Sequence, residues 1–244
     1  METHERDMNM TPIKLEYKSI PETEQIYNRI VSALFMLKER HSMSSFVFTG
    51  CEHKVGNTTV CLNIAAELAH AGRKTLLVDC DFLKLANEKR LYQYVDTGLG
   101  EYLNNAAKLD EIIYNTDISA LSYISSGKSF INPTMMLWSD TFTDFINLIS
   151  QNYEFVIFDT APLLAAPEVG VLAYRTAGTI LTVQFGKSLK SQIYASKVEL
   201  EKMGSNFLGV IVNKVPDNDC RIYQKTHGFS LVLKGTQEST RADS

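Results

Sequence analysis

Apolar positions along this chain follow two alternating rhythms. One is the three-and-four spacing of a helix with a single buried stripe, and the other is the short unbroken run of a strand covered on both faces. Ile26, Ile30, Ala33, Leu34 and Leu37 predict an amphipathic helix over residues 22–39, with Ser19 and Pro21 as its start signal. Such a helix packs on its own core or docks on a neighbouring subunit, and the pattern serves both. A strand follows at Phe46 to Phe48, then a polar loop, then a helix over 58–71 whose stripe is Val60, Ile64, Ala65 and Leu68 and whose stop is Gly72. Lys74-Thr-Leu-Leu-Val-Asp-Cys-Asp81 reads as a buried parallel strand with acids emerging at its carboxyl end. Residues 83–117 read as mixed helix and loop, with a short helix entry at Gly98 to Leu103. Next come a strand at Leu121 to Ile124, a turn at Ser126-Gly-Lys, a break at Asn132-Pro133 and a helix from Thr141 to Ser150. Strands at Tyr153–Asp159, 179–184 and Phe207–Val212, the last closing on Asn213, are separated by helices over 167–174 and 189–203.

Strand and helix thus alternate at least five times. That predicts an α/β fold with a doubly wound, mostly parallel sheet and helices on both faces, in which ligands collect at the carboxyl edge of the strands. Residues 1–18 carry no sustained period and read as a flexible leader; 19–215 form the domain; 216–244 are a tail that loses the rhythm, disordered over 235–244.

Composition narrows the function classes. With 244 residues, 45% hydrophobic and 21% charged, the chain suits one ordinary globular domain. A net charge of −4 gives no reason to expect nucleic acid or an anionic surface as partner. No apolar run approaches the roughly eighteen residues of a membrane span, and the charged N-terminus lacks a signal core, so a cytoplasmic protein is expected. Cys51, Cys61, Cys80 and Cys220 lie far apart, without the spacing of a zinc site or a disulfide framework.

The candidate chemistry lies between the first strand and its helix. A polar loop there has the layout of a phosphate-binding loop, in which backbone N–H groups and the helix dipole converge on phosphate oxygens and a Ser or Thr hydroxyl holds Mg²⁺. The pattern Gly-x-x-x-x-Gly-Lys-[Ser/Thr] is met by Gly56 and Thr58, whereas Cys51 stands at the first glycine and Asn57 at the lysine. On these residues alone, a phosphate site and a plain strand–turn–helix connection fit equally. Asp159, closing an apolar strand one crossover away, resembles the Walker B acid that organises Mg²⁺ through its waters.

Taken in order, Gly56 with Thr58, Val78-Asp-Cys-Asp81, Gly98-Leu-Gly-Glu-Tyr-Leu103, Ser126-Gly-Lys, Asn132-Pro133, Ile157-Phe-Asp-Thr-Ala-Pro162 and Leu208-Gly-Val-Ile-Val-Asn213 resemble the bacterial tyrosine kinases of capsule and exopolysaccharide synthesis, the CpsD/CapB type. Those kinases are related to the MinD/ParA P-loop ATPases, and the likeness covers roughly residues 22–215. It implies a P-loop NTPase fold, ATP and Mg²⁺ as cofactors, and protein-tyrosine kinase activity. Carried over, the phosphate-holding and metal roles fall on Gly56, Thr58 and Thr59. The metal site and activation of the incoming hydroxyl fall on Asp79 and Asp81, a further Mg²⁺-organising acid is Asp159, and the residue at the adenine edge is Asn213. Thr58, Asp79 and Asp159 would be the metal set. The resemblance also implies a membrane-anchored activator of the chain-length-determinant type, peripheral placement at the inner membrane face through it, and homo-oligomers through residues 22–39.

The departures bear on activity. Asn57 cannot supply the ammonium that offsets charge building on the phosphate, a loss of about 10²–10³ in rate. Lys54 is the candidate substitute. Cys51, His53 and Lys54 put bulk where a tight turn is expected, and Leu83 stands where an arginine often follows the acids. After residue 215 only Tyr223 remains of the usual tyrosine cluster, and Glu24 and Arg29 stand where the oligomerisation motif would be. Three readings therefore stand: an autokinase, a pseudokinase that regulates by assembly, and a MinD/ParA-like positioning ATPase. The last is disfavoured by Glu52 at that branch's extra lysine.

Overall fold

Seven strands form one open sheet in the computed structural model, which describes residues 12–15, 17, 21–83, 95, 97–128 and 132–216. In chain order the elements are α1 (Pro21–His41), β1 (Ser45–Gly50), α2 (Asn57–His70), β2 (Thr75–Cys80), α3 (Leu99–Leu103), α4 (Leu109–Ile112), β3 (Tyr114–Asn115) and β4 (Leu121–Ile124). Then follow α5 (Pro133–Trp138), α6 (Asp140–Asn152), β5 (Phe155–Thr160), a 3₁₀ turn (Leu163–Ala165), α7 (Glu168–Arg175), β6 (Gly178–Gln184), α8 (Lys190–Lys202) and β7 (Phe207–Asn213). Across the sheet the order is β3-β4-β2-β5-β1-β6-β7, parallel throughout except for β3 on β4.

The period-two alternation of each strand divides the core into two layers. Phe46, Phe48, Leu77, Phe155 and Ile157 pack with the buried stripe of α2 (Val60, Ile64, Leu68) and with Ile30 and Leu34 of α1. Val47, Leu76, Val78, Val156 and Phe158 turn to the other face, against Phe142, Phe145 and Ile149 of α6 and Leu172 of α7. Both faces being covered, β1, β2 and β5 are buried along their whole length. Each fully buried Phe contributes about 1.5–3 kcal/mol of transfer free energy, which makes this two-sided core the main source of stability.

Three local expectations change. Asn132-Pro133 starts an element instead of breaking one: Asn132 Oδ1 accepts from Met135 N at 3.2 Å, and Pro133 takes the first helical position of α5, where its missing N–H costs nothing. The stretch 83–117 contains β3, too short to carry a readable run. The leader is anchored at its distal part: Ile13 and Leu15 are buried, Ile13 N donates to Asn115 O at 2.9 Å, and Asp117 N donates to Ile13 O at 3.0 Å. Tyr17 then reaches α2, its hydroxyl donating to Glu67 Oε1 at 2.8 Å. The rest of the leader, residues 84–94, and the tail 217–244 with Cys220 and Tyr223 lie outside the described residues. The stripe of α1 is spent on its own core, leaving Met36 as its large exposed apolar side chain among the described residues.

Register decides where the acids meet. On adjacent β2 and β5, Asp79 is paired with Asp159, and Asp159 is in turn level with Phe48 of β1, near the strand's carboxyl end. Parallel strands lie about 4.8 Å apart, so the two acids leave the sheet side by side.

Candidate functional site

The loop between β1 and α2 is held down by its own apolar residues. Cys51 and Val55 are buried with Leu181 and Val183, while His53 and Lys54 face outward. The expected bulk therefore does not open the turn. Lys54 and Gly56 take left-handed backbone angles, φ 63° and 91°, of the kind that line up successive N–H groups around an anion. Gly56 caps α2, and the first turn of α2 carries no acid of its own, so the N–H groups and dipole at the helix start favour an anion, while the acids of the cleft belong to β2 and β5. A Cβ at Gly56 would lie 2.4 Å from Asn213 Nδ2, so only glycine fits there.

The cleft above this loop, about 640 Å³, is lined by Gly56, Asn57, Thr58, Thr59, Asp79, Asp81 and Asp159 together with Lys54 and Lys214. The three acids are all buried, and each has protein donors. Asp79 Oδ1 accepts from Asp81 N at 2.9 Å, Asp79 Oδ2 from the Tyr123 hydroxyl at 3.4 Å, and Asp81 Oδ1 from Leu83 N at 3.2 Å. Asp159 Oδ1 accepts from Asn57 Nδ2 at 2.8 Å.

The Asn57 side chain, at the floor of the cleft, is turned onto the strand ends. Besides Asp159, its Nδ2 donates to Phe48 O at 2.8 Å and Thr160 O at 3.3 Å, and its Oδ1 accepts from Thr182 Oγ1 at 2.8 Å. The amide is thus used on both sides, tying β1, β5 and β6 together where the sheet meets the loop. Lys54, the expected substitute cation, is exposed, and its carbonyl accepts from Lys214 Nζ at 2.5 Å. Asn213 Nδ2 donates to Val55 O at 2.8 Å and Asn213 Oδ1 accepts from Lys214 N at 2.8 Å, so it buttresses the loop from the end of β7, across β6 from β1. Glu52 turns away toward the β6–α8 connection, accepting from Ser188 Oγ at 2.8 Å.

Sequence reading missed Tyr123, Thr182 and Lys214. Lys214 follows Asn213 at the carboxyl edge, a position where the fold collects ligands, and that placement was the available signal. Tyr123 sat inside an apolar run and read as core. Burial, then the charges of Asp79 and Asp159, push its phenol well above the ordinary tyrosine range, so it stays protonated and acts as a donor. Burial likewise raises the Cys51 thiol, against a smaller opposing effect of its hydrogen bond to Ser188.

The donor set fits a magnesium nucleotide. Among the described residues no three His, Cys, Asp or Glu side chains form a metal cage. Magnesium at a phosphate loop does not need one, since it keeps several waters and binds one or two protein oxygens plus the phosphates. The Thr58 hydroxyl in the first turn of α2, with buried carboxylates on two adjacent strand ends, supplies that kind of set.

A family model described as an AAA domain matches residues 51–188. The tyrosine-protein kinase CpsD of Streptococcus pneumoniae is 32% identical over 210 residues, which cover 83% of this chain and 88% of that protein. Among solved structures, the chimerical protein CapA2B2 superposes with a TM-score of 0.75 at 27% identity, over 83% of this chain and 88% of the other. The septum site-determining protein MinD of Pyrococcus horikoshii, solved with Mg-ADP, superposes with a TM-score of 0.58 at 21% identity, over 74% of this chain and 76% of the other, which speaks to fold alone.

Proposed function

Because the chain belongs to the CpsD/CapB-type bacterial tyrosine kinases of capsule and exopolysaccharide synthesis, relatives of the MinD P-loop ATPases, we propose that it binds Mg-ATP and Mg-ADP in the cleft and regulates that synthesis with little phosphoryl transfer of its own. The observation that carries this reading is the Asn57 amide, fully engaged beneath the loop with Asp159, Thr182 and two backbone carbonyls. The bound nucleotide would supply the transferable phosphoryl group together with its metal. Around it, the loop of residues 51–56 and the start of α2 would hold the phosphates, Thr58 would hold the metal, and Asp79, Asp81 and Asp159 would order its waters and the acceptor hydroxyl. What is lacking at Asn57 is a positive charge on the transferring group, worth about 10²–10³ in rate.

A second reading, an active autokinase, is favoured by the three acids, which are all buried at one carboxyl edge. The MinD/ParA-like reading has less support, since Glu52 is turned toward Ser188. Phosphotyrosine formation with Mg-ATP separates these, measured on the native chain and on Asn57→Lys after a thermal melt confirms folding. Mg-ADP binding without measurable phosphotyrosine in the native chain, and at least about tenfold more in Asn57→Lys, is the expected result. Strong phosphotyrosine from the native chain, lost in Asp79→Ala, would establish the autokinase instead.

A membrane-anchored activator of the CapA kind completes the proposal. No described helix is long and apolar enough to cross a membrane, and a relative was solved as the CapA2B2 chimera. Peripheral placement at the inner membrane face would follow from that partner. Assembly through residues 22–39 predicts a species larger than one chain by light scattering at high concentration with nucleotide. A strict monomer there would remove it.

A further inference from the structure

Tyr123 stands on β4 beside β2, in register with Leu77, two residues before Asp79. Its ring is buried at 4% exposure, it lines the cleft, and its hydroxyl donates to Asp79 Oδ2 at 3.4 Å. The other carboxylate oxygen is already taken by Asp81 N at 2.9 Å. Asp79 is therefore held at both oxygens, by a short backbone bond on one side and a long phenolic one on the other. Asp159 next to it is held by Asn57 at 2.8 Å. Neutral protein donors thus satisfy lone pairs on both acids without offsetting their charge.

We infer that Tyr123 is a positioning residue for Asp79, occupying the carboxylate oxygen that a magnesium-bound water or an incoming hydroxyl would use, so that metal must compete with it. The inference rests on the nucleotide reading above. At 3.4 Å the contact is at the weak end for a hydroxyl donor, which makes it displaceable. A strong hold would shut the metal out; this one sets how much magnesium the site requires. Phosphate binding is left alone, because the loop and the start of α2 are built on β1, two strands away from β4's neighbour β2.

The test is ADP binding to the whole chain by calorimetry across a magnesium series, for the native protein, Tyr123→Phe and Tyr123→Leu. Phe removes only the hydroxyl, and Leu removes it with a different shape, which separates the hydrogen bond from ring packing. The half-saturating magnesium concentration is expected to fall about threefold or more in both variants, while magnesium-free ADP affinity stays within about twofold. If all three bind ADP and the magnesium midpoint does not move, or magnesium-free affinity falls with it, the inference is overturned and the nucleotide reading stands. If none binds ADP at any magnesium concentration, the nucleotide reading itself falls and takes this inference with it.

Discussion

Asn57 joins three strands through one buried amide, so its removal should be felt in stability as well as chemistry. Asn57→Ala leaves Thr182 Oγ1 without its acceptor at 2.8 Å and takes a 2.8 Å donor from buried Asp159. Urea denaturation should show a loss of about 2–4 kcal/mol, the usual cost of uncompensated buried polar and charged groups. A change below about 0.5 kcal/mol would mean that the amide is not structural. Cys51 gives a pH prediction. Its thiol is raised by burial, so less thiolate is present at a given pH than on a free cysteine. Site-resolved iodoacetamide labelling near pH 8 should find Cys51 much slower than free cysteine and accelerated only in denaturant. At this scale Asp79, Asp81 and Asp159 were legible, since acids that close apolar runs have one natural place in a parallel sheet. The direction of Asn57 was not. A motif gives the residue type at a position, whereas the side chain's course depends on Thr182 and Thr160, which arrive from β6 and β5.

Between strand and helix, the loop is an element in its own right, anchored inward by Cys51 and Val55 and outward by Asn213 and Lys214. Gly56→Ala combines a left-handed backbone angle of 91° with a Cβ 2.4 Å from Asn213 Nδ2. The strain alone is about 1–2 kcal/mol. Nucleotide affinity should drop at least about tenfold, with a melting temperature lowered by only a few degrees. Asn213→Ala, which frees the Val55 carbonyl, should weaken binding in the same direction. Elements with long periodic patterns, such as α1, α2 and α6, could be read from sequence within a residue or two. Those set by pairing or capping could not. β3 exists because β4 offers it an edge, α5 because Asn132 caps it, and Pro12–Leu15 is ordered because Ile13 pairs with Thr116.

Over the whole molecule, strand order brings the site together. The crossover from β1 to β2 passes over β5, so acids 80 residues apart in sequence become neighbours in register, as the Asp79–Asp159 pair shows. Alternation of strand and helix made the fold class legible, and the carboxyl-edge rule made the site's location legible. Nothing local in the sequence states that β5 inserts between β1 and β2; the folded sheet's strand order shows it. The loop of residues 51–56 and these acids together would form one magnesium-nucleotide cleft. Calorimetric titration of the native chain with Mg-ADP, with Gly56→Val as the control that fills the cradle, should give one nucleotide per chain for the native protein and none for Gly56→Val; no binding by the native chain, or equal binding by both, would rule such a cleft out.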